Sequence, residues 1–189
     1  MRVFAIRHGE TEWSLNGRHT GVTDLALTDN GRRLAASLAP VLGREQFALV
    51  LTSPLQRART TAHLAGLGAA AMIAPELVEW NYGDYEGLTP GQIRSQRPDW
   101  LIFRDGCPNG ESPAEVGARA DCVIAKVRAA GGDAALFAHG HILRVLAARW
   151  IGLPPEGGRH FLLGTGTLCV LSSYRGSPAI EVWNGPLDV

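Results

Sequence analysis

With 189 residues, the chain fits one domain long enough to bury a sizeable core, and 46% hydrophobic with 19% charged residues is the balance of an ordinary globular protein. Lys+Arg and Asp+Glu are matched at 18 each, so no global field favours nucleic acid or an anionic membrane as a partner. No run reaches the roughly 18 consecutive apolar residues of a membrane span, no hydrophobic leader precedes the first strand, and Cys107, Cys122 and Cys169 are odd in number and far apart, so a reduced, cytoplasmic protein is expected.

Taken in order, Val3-Phe4-Ala5-Ile6 reads as a buried strand that ends in Arg7-His8-Gly9, where glycine permits a turn. Residues 10–27 form a polar loop. Thr28 is placed as the N-cap of an amphipathic helix that reaches about Leu42 and is closed by Gly43. A second buried strand, 47–51, is closed by Thr52-Ser53-Pro54, and Pro54 suits the first turn of a helix running to Ala65. Residues 69–74 are expected as a third strand, although alanine is a weak strand former.

Residues 76–87 are acidic and aromatic, with turns at Gly83 and Gly87, and 90–103 read as one or two short helices broken at Pro98. Ser112, with Glu115 three residues on, opens a helix to about Ala130 through a capping box. A further strand, 134–138, ends in His139-Gly140-His141, and a helix over 142–151 follows, then a loop over 154–159. Residues 167–172 and 179–183 flank a Gly-Ser-Pro turn as a hairpin. Strands alternating with helices predict an α/β fold, a three-layer α/β/α sandwich around a mostly parallel sheet, with an antiparallel strand supplied by the C-terminal hairpin. The chain is read as a single domain, 1–189, carrying a small lid-like insertion at about 80–112.

Three strand ends carry polar chemistry: Arg7-His8-Gly9, Ser53-Pro54 with Arg57, and His139-Gly140-His141; Glu79 adds a carboxyl group. In a parallel sheet these ends share one edge, where ligands bind. Two arginines offer forked donors that match phosphate oxygens. A neutral histidine beside them is a competent nucleophile toward phosphorus. A second histidine, if protonated, would neutralise charge in the transition state, and the carboxyl group would protonate a departing alkoxide.

The motifs Arg-His-Gly-Glu-Thr, Ser-Pro-Leu-x-Arg-Ala-x-x-Thr-Ala, Leu-x-Glu with Tyr-Gly-Asp-Tyr-Glu-Gly, and His-Gly-His, in that order over nearly the whole chain, resemble those of the histidine phosphatase (phosphoglycerate mutase-like) superfamily. Residues 82–87, 104–111 and 138–144 further resemble the branch with bacterial acid phosphatases and fungal sedoheptulose-1,7-bisphosphatase. The resemblance implies a phosphohistidine on His8, a phosphoryl group held by Arg7, Arg57 and His139, and Glu79 as proton donor. It places Ser14, Thr20, Gly21, Tyr82, Gly140 and His141 in or beside the substrate pocket, although many members carry Asn where Ser14 stands.

The function expected is therefore a metal-independent phosphomonoesterase that needs no cofactor, takes a small phosphomonoester such as a sugar phosphate, and releases inorganic phosphate; a homodimer is compatible with the sequence. A cofactor-dependent phosphoglycerate mutase is the alternative, but mutases of the superfamily draw pocket-mouth cations and a lid from a long insertion. Here residues 88–111 are short, and Arg94, Arg97 and Arg104 interleave with Asp99 and Asp105, so ion pairs are expected among them. A zinc hydrolase using His8, His139 and Glu79 is disfavoured because two arginines would repel the dication. His19 and His160 are expected in loops, His63 as structural, Arg59 facing away from the site, and Trp80, Trp100, Trp150 and Trp183 in the core. Arg144 lies one turn beyond His141, and Thr165, between two glycines, lacks the lysine of a phosphate loop.

Overall fold

A computed structural model describes residues 1–185; the last four residues of the expected domain lie outside the described residues. Six strands form one sheet in the order β3-β2-β4-β1-β5-β6, comprising β1 (Val3–Arg7), β2 (Leu49–Thr52), β3 (Met72–Ile73), β4 (Ala134–Ala138), β5 (Leu168–Tyr174) and β6 (Ser177–Gly185). The first four are mutually parallel, whereas β5 runs antiparallel to β1 and β6 antiparallel to β5.

Side chains alternate across a strand, and the core divides accordingly. Val3 and Ala5 of β1, with Ala134, Leu136 and Ala138 of β4, pack on one face against α7 (Pro113–Ala130) and α8 (Gly140–Trp150). Phe4, Ile6, Ala135 and Phe137 pack on the other face. That face is covered by α2 (Asp29–Ser37), α3 (Ala39–Leu42) and α4 (Gln56–Leu64). Both faces are buried, which is why these strands are continuous apolar runs.

Helix starts follow the sequence. Thr28 accepts from the Gly31 N–H, and Ser112 and Glu115 form the reciprocal capping box of α7. Elsewhere the boundaries differ from expectation. The helix after Thr28 breaks at Leu38, where Pro40 begins a separate turn, and β2 starts at Leu49. The third strand shrinks to the edge pair Met72–Ile73. The loop after β1 holds a four-residue helix, α1 (Glu12–Leu15), which Thr11 and Ser14 cap reciprocally. The segment after Glu79 contains α5 (Pro90–Gln96) and α6 (Ile102–Asp105), divided near Pro98 as expected. Trp80, Trp100 and Trp150 are core residues, and Trp183 is partly buried.

Because β1, β2 and β4 are parallel, their carboxyl ends lie on one edge. Arg7 pairs in register with Ala138, so the next residues, His8 and His139, leave adjacent strands side by side. Their ring centroids are 5.1 Å apart, close to the ~4.8 Å spacing of neighbouring strands.

Candidate active site

His8 is buried, and its Nδ1 lies 2.7 Å from the Gly9 carbonyl oxygen. A carbonyl only accepts, so Nδ1 carries the proton and Nε2 keeps a free lone pair. Burial first, then the Arg7 and Arg57 guanidinium groups, hold the His8 pKa well below its ordinary value. Gly9 is needed here for a reason other than a turn. A Cβ on it would stand 2.3 Å from the Gly31 carbonyl oxygen, so a side chain would drive α2 off the strand end.

His139 is fully buried between two partners. Its Nδ1 accepts from Arg57 Nε–H at 3.1 Å, and its Nε2 lies 2.8 Å from Ser53 Oγ. An arginine N–H can only donate, so the His139 proton sits on Nε2 and is given to Ser53. Burial, then Arg57, pushes its pKa well below the ordinary value. The second histidine is thus neutral in this structure rather than the cation that charge neutralisation would require. Ser53 was legible only as the end of a strand, and its role depends on a residue 86 positions away.

Arg57 has no exposed surface. Besides His139 it donates through Nη1 to the Thr23 carbonyl and through Nη2 to those of Thr20 and Gly21. It therefore ties the loop after α1 to the strand ends and leaves one Nη1 proton uncommitted. Gly21 enters through this carbonyl only. Its N–H is held by the Glu86 carboxylate, and a Cβ would meet the Trp80 carbonyl oxygen at 2.6 Å. The structure places Gly21 behind the pocket wall.

Glu79 is buried against the N-terminus of α8. Oε1 accepts from the N–H groups of Trp80 at 2.9 Å and Ile142 at 3.0 Å, and Oε2 accepts from the His141 N–H at 3.0 Å. Both in-plane lone pairs of Oε1 are used, so a proton on this group belongs on Oε2. Arg119 of α7 fixes the segment by donating to the carbonyls of Glu76 and Val78 and to the Glu111 carboxylate. Gly140 separates the acid from Arg7: a Cβ there would lie 3.3 Å from Arg7 Cζ and 3.6 Å from Glu79 Oε2.

A cavity of about 230 Å³ opens over these groups. Arg7, His8 and Glu79 line it, as do Ser14, Thr20, Tyr82, Gly140 and His141; Arg57, His139 and Gly21 stand behind it. Arg7 donates through Nη1 to the Leu163 carbonyl, while its Nε is buried with no partner among the described residues. Ser14 serves the α1 cap, donating to the Thr11 carbonyl. The Tyr82 hydroxyl lies 2.6 Å from His141 Nδ1. Burial raises the tyrosine pKa well above its ordinary value and lowers that of His141 well below.

His19 lies in a loop as expected, but it is also part of the pocket wall. Its ring stacks on Tyr82 at 4.5 Å and 27°, and it lines the cavity. Burial, with Arg94 nearby, lowers its pKa to about 4. Arg144 also reaches the cavity. The zinc reading finds no support, because both ring nitrogens of His139 are already engaged. Among the described residues no three His, Cys, Asp or Glu side chains cluster as a metal site.

A paired-histidine strand edge, two arginines beside it and an acid on a helix N-terminus define a histidine phosphatase, and the family model of the histidine phosphatase superfamily (branch 1) matches residues 3–186. The chain belongs to that superfamily and is an enzyme of the phosphatase class. It is 41% identical to an acid phosphatase of Mycobacterium tuberculosis, over 96% of this chain and 91% of that one. It is 36% identical to sedoheptulose 1,7-bisphosphatase of Saccharomyces cerevisiae, over 80% of this chain and 68% of the other. A solved structure of an open reading frame product from Mycobacterium tuberculosis superposes with a TM-score of 0.93 at 41% identity, covering 97% and 96% of the two chains. No described helix is long and apolar enough to cross a membrane.

Proposed function

We propose that this chain is a metal-independent phosphomonoesterase that acts on small phosphorylated metabolites, sugar phosphates among them, through a phosphohistidine on His8. The observation that carries the reading is the His8 ring, neutral and locked in the tautomer that leaves Nε2 free beside two guanidinium groups. Nε2 attacks phosphorus in line as the bond to the leaving oxygen breaks. Arg7, which lines the cavity, takes the phosphoryl oxygens with its guanidinium donors, and Arg57, buried just behind the wall, adds a second fixed positive charge beside them. Glu79 gives its Oε2 proton to the departing alkoxide, then accepts one from the water that hydrolyses phosphohistidine to inorganic phosphate. His139 positions: it holds Arg57 Nε and flanks His8.

The relatives named as acid and sugar-bisphosphate phosphatases support hydrolysis and this substrate class. In this reading residues 80–112 act as a small lid, and unpaired cysteines suit a cytoplasmic setting. The test is a brief incubation with 32P-labelled substrate. The wild type should trap acid-labile phosphate, and His8→Ala should trap none and lose turnover while keeping its circular dichroism spectrum. Substantial turnover by a folded His8→Ala variant rules out covalent catalysis at this residue.

A further inference from the structure

The motif at residues 82–87 supplies Tyr82 to the cavity, yet its glutamate, Glu86, has no part in the chemistry described so far. Glu86 is half-buried and forms no ion pair with any described residue. Its carboxylate is committed to the main chain instead. Oε1 accepts from the N–H groups of Gly21 at 2.9 Å and Thr23 at 3.0 Å, and Oε2 lies 3.0 Å from the same Gly21 nitrogen. Glycine at position 21 makes this approach possible, since a Cβ there would stand 2.7 Å from Glu86 Oε2.

The other side of the same loop faces Arg57, which donates to the carbonyls of Thr20, Gly21 and Thr23. The peptide unit joining Thr20 to Gly21 therefore has its oxygen on the guanidinium and its N–H on the carboxylate. Hydrogen bonds in series polarise one another, so the carboxylate makes that carbonyl a better acceptor for the cation. Arg57 is fully buried, and its only other protein partner is His139, so the guanidinium stands where the loop carbonyls put it. Glu86 is itself held firmly. The next residue, Gly87, donates its N–H to the His19 carbonyl, and the His19 N–H donates to the Leu88 carbonyl, both at 2.9 Å. Three residues earlier, Gly83 packs so closely under residues 108–110 that a Cβ would meet the Pro108 carbonyl oxygen at 2.1 Å.

We propose that Glu86 is a positioning residue for Arg57: it grips the loop of residues 20–23 from behind and so sets where the buried guanidinium stands beside the reacting phosphate. This rests on the reading that His8 takes the phosphoryl group with the Arg57 charge next to it. Glu86 acts on the cation that faces the phosphoryl oxygens and on no part of the leaving group. Its loss therefore weakens every phosphoryl ligand by a common factor, unlike the loss of a proton donor, which falls on poor leaving groups.

The test measures kcat/KM for p-nitrophenyl phosphate and for a sugar phosphate, and the vanadate Kd by calorimetry, which needs no turnover. The variants are Glu86→Ala, Glu86→Gln, Arg57→Met and Glu86→Gln with Arg57→Met, each checked for its fold by circular dichroism. Glu86→Ala should lower kcat/KM on both esters and weaken vanadate by a similar factor of roughly tenfold or more, the value of one hydrogen bond to a charged group. Glu86→Gln keeps one oxygen for the loop and should lose less, about threefold or more, so it carries the comparison should Glu86→Ala fail to fold. In the Arg57→Met background, Glu86→Gln should change the vanadate Kd by less than about twofold, because the group it positions is gone. Folded Glu86 variants that match an active wild type overturn the positioning role. So does a Glu86→Gln loss that persists undiminished without Arg57, or one confined to the sugar phosphate. A wild type that hydrolyses no phosphate ester overturns the phosphatase reading beneath it.

Discussion

Replacing Glu79 by glutamine separates its two duties, because the amide keeps the shape but has no proton to transfer. With the amide oxygen at the Oε1 position, the Trp80 and Ile142 N–H groups keep their acceptor. The amide nitrogen then faces the His141 N–H, donor against donor. Losing one hydrogen bond to a charged group costs about 1.5–3 kcal/mol. At about 2–4 °C per kcal/mol for a chain of this size, the melting midpoint should fall by about 3–12 °C. The kinetic effect is distinct. A general acid contributes about 10²–10⁴-fold where the leaving oxygen needs a proton. For a sugar phosphate, kcat/KM of Glu79→Gln should fall by that factor, whereas p-nitrophenyl phosphate, whose leaving group is a stable anion, should lose less than about tenfold. The comparison uses kcat/KM because it reports steps only up to departure of the alcohol, before phosphohistidine hydrolysis. Equal losses on both substrates would refute proton donation by Glu79.

Activity should survive dialysis against EDTA, and vanadate, a mimic of the pentacoordinate phosphoryl group, should inhibit; loss on chelation, restored by zinc, would return the metal reading. His8, His19, His139 and His141 all have folded pKa values below the ordinary 6.5, so the unfolded chain binds more protons than the folded one below that pH. Their contribution is fully present above pH 6.5 and is lost as pH falls, at up to about 1.4 kcal/mol per pH unit for each group until its folded pKa is reached. For His19 that window runs from 6.5 to about 4. Urea midpoints should therefore drop steeply between about pH 6.5 and 5, and a flat profile would contradict four rings held neutral by the fold. The rate on poor leaving groups should still peak on the mildly acidic side, because departure of the alkoxide needs a proton donor while His8 stays neutral. Supplied with 3-phosphoglycerate and 2,3-bisphosphoglycerate, the enzyme should release phosphate and form little 2-phosphoglycerate. Arg94, Arg144 and Arg159 line a cavity beside the active site, so in the proposed reading the discrimination falls to α5 and α6 acting as a small lid; mutase turnover well above hydrolysis would overturn it.

The layout of this molecule was legible in the chain because its causes are local. Apolar runs such as residues 134–138 mark strands buried on both faces, capping residues such as Thr28 and Ser112 mark helix starts, and polar residues immediately after strands must fall on one sheet edge. His8 and His139 could be named for that reason, and Glu79 through the motif that resembles the histidine phosphatases. Boundaries were less legible at β3, where two edge residues pair only because β2 happens to lie beside them. The state of the site was not legible at all. A histidine's tautomer is set by whatever meets its two nitrogens, and for His139 those partners lie 82 and 86 residues away. The same holds for Gly9, required by a contact with Gly31, and for His19, drawn into the pocket wall by Tyr82. Propensity and pattern act over a few residues, whereas protonation, orphaned donors and unpaired cations depend on packing between segments that meet only in the folded chain.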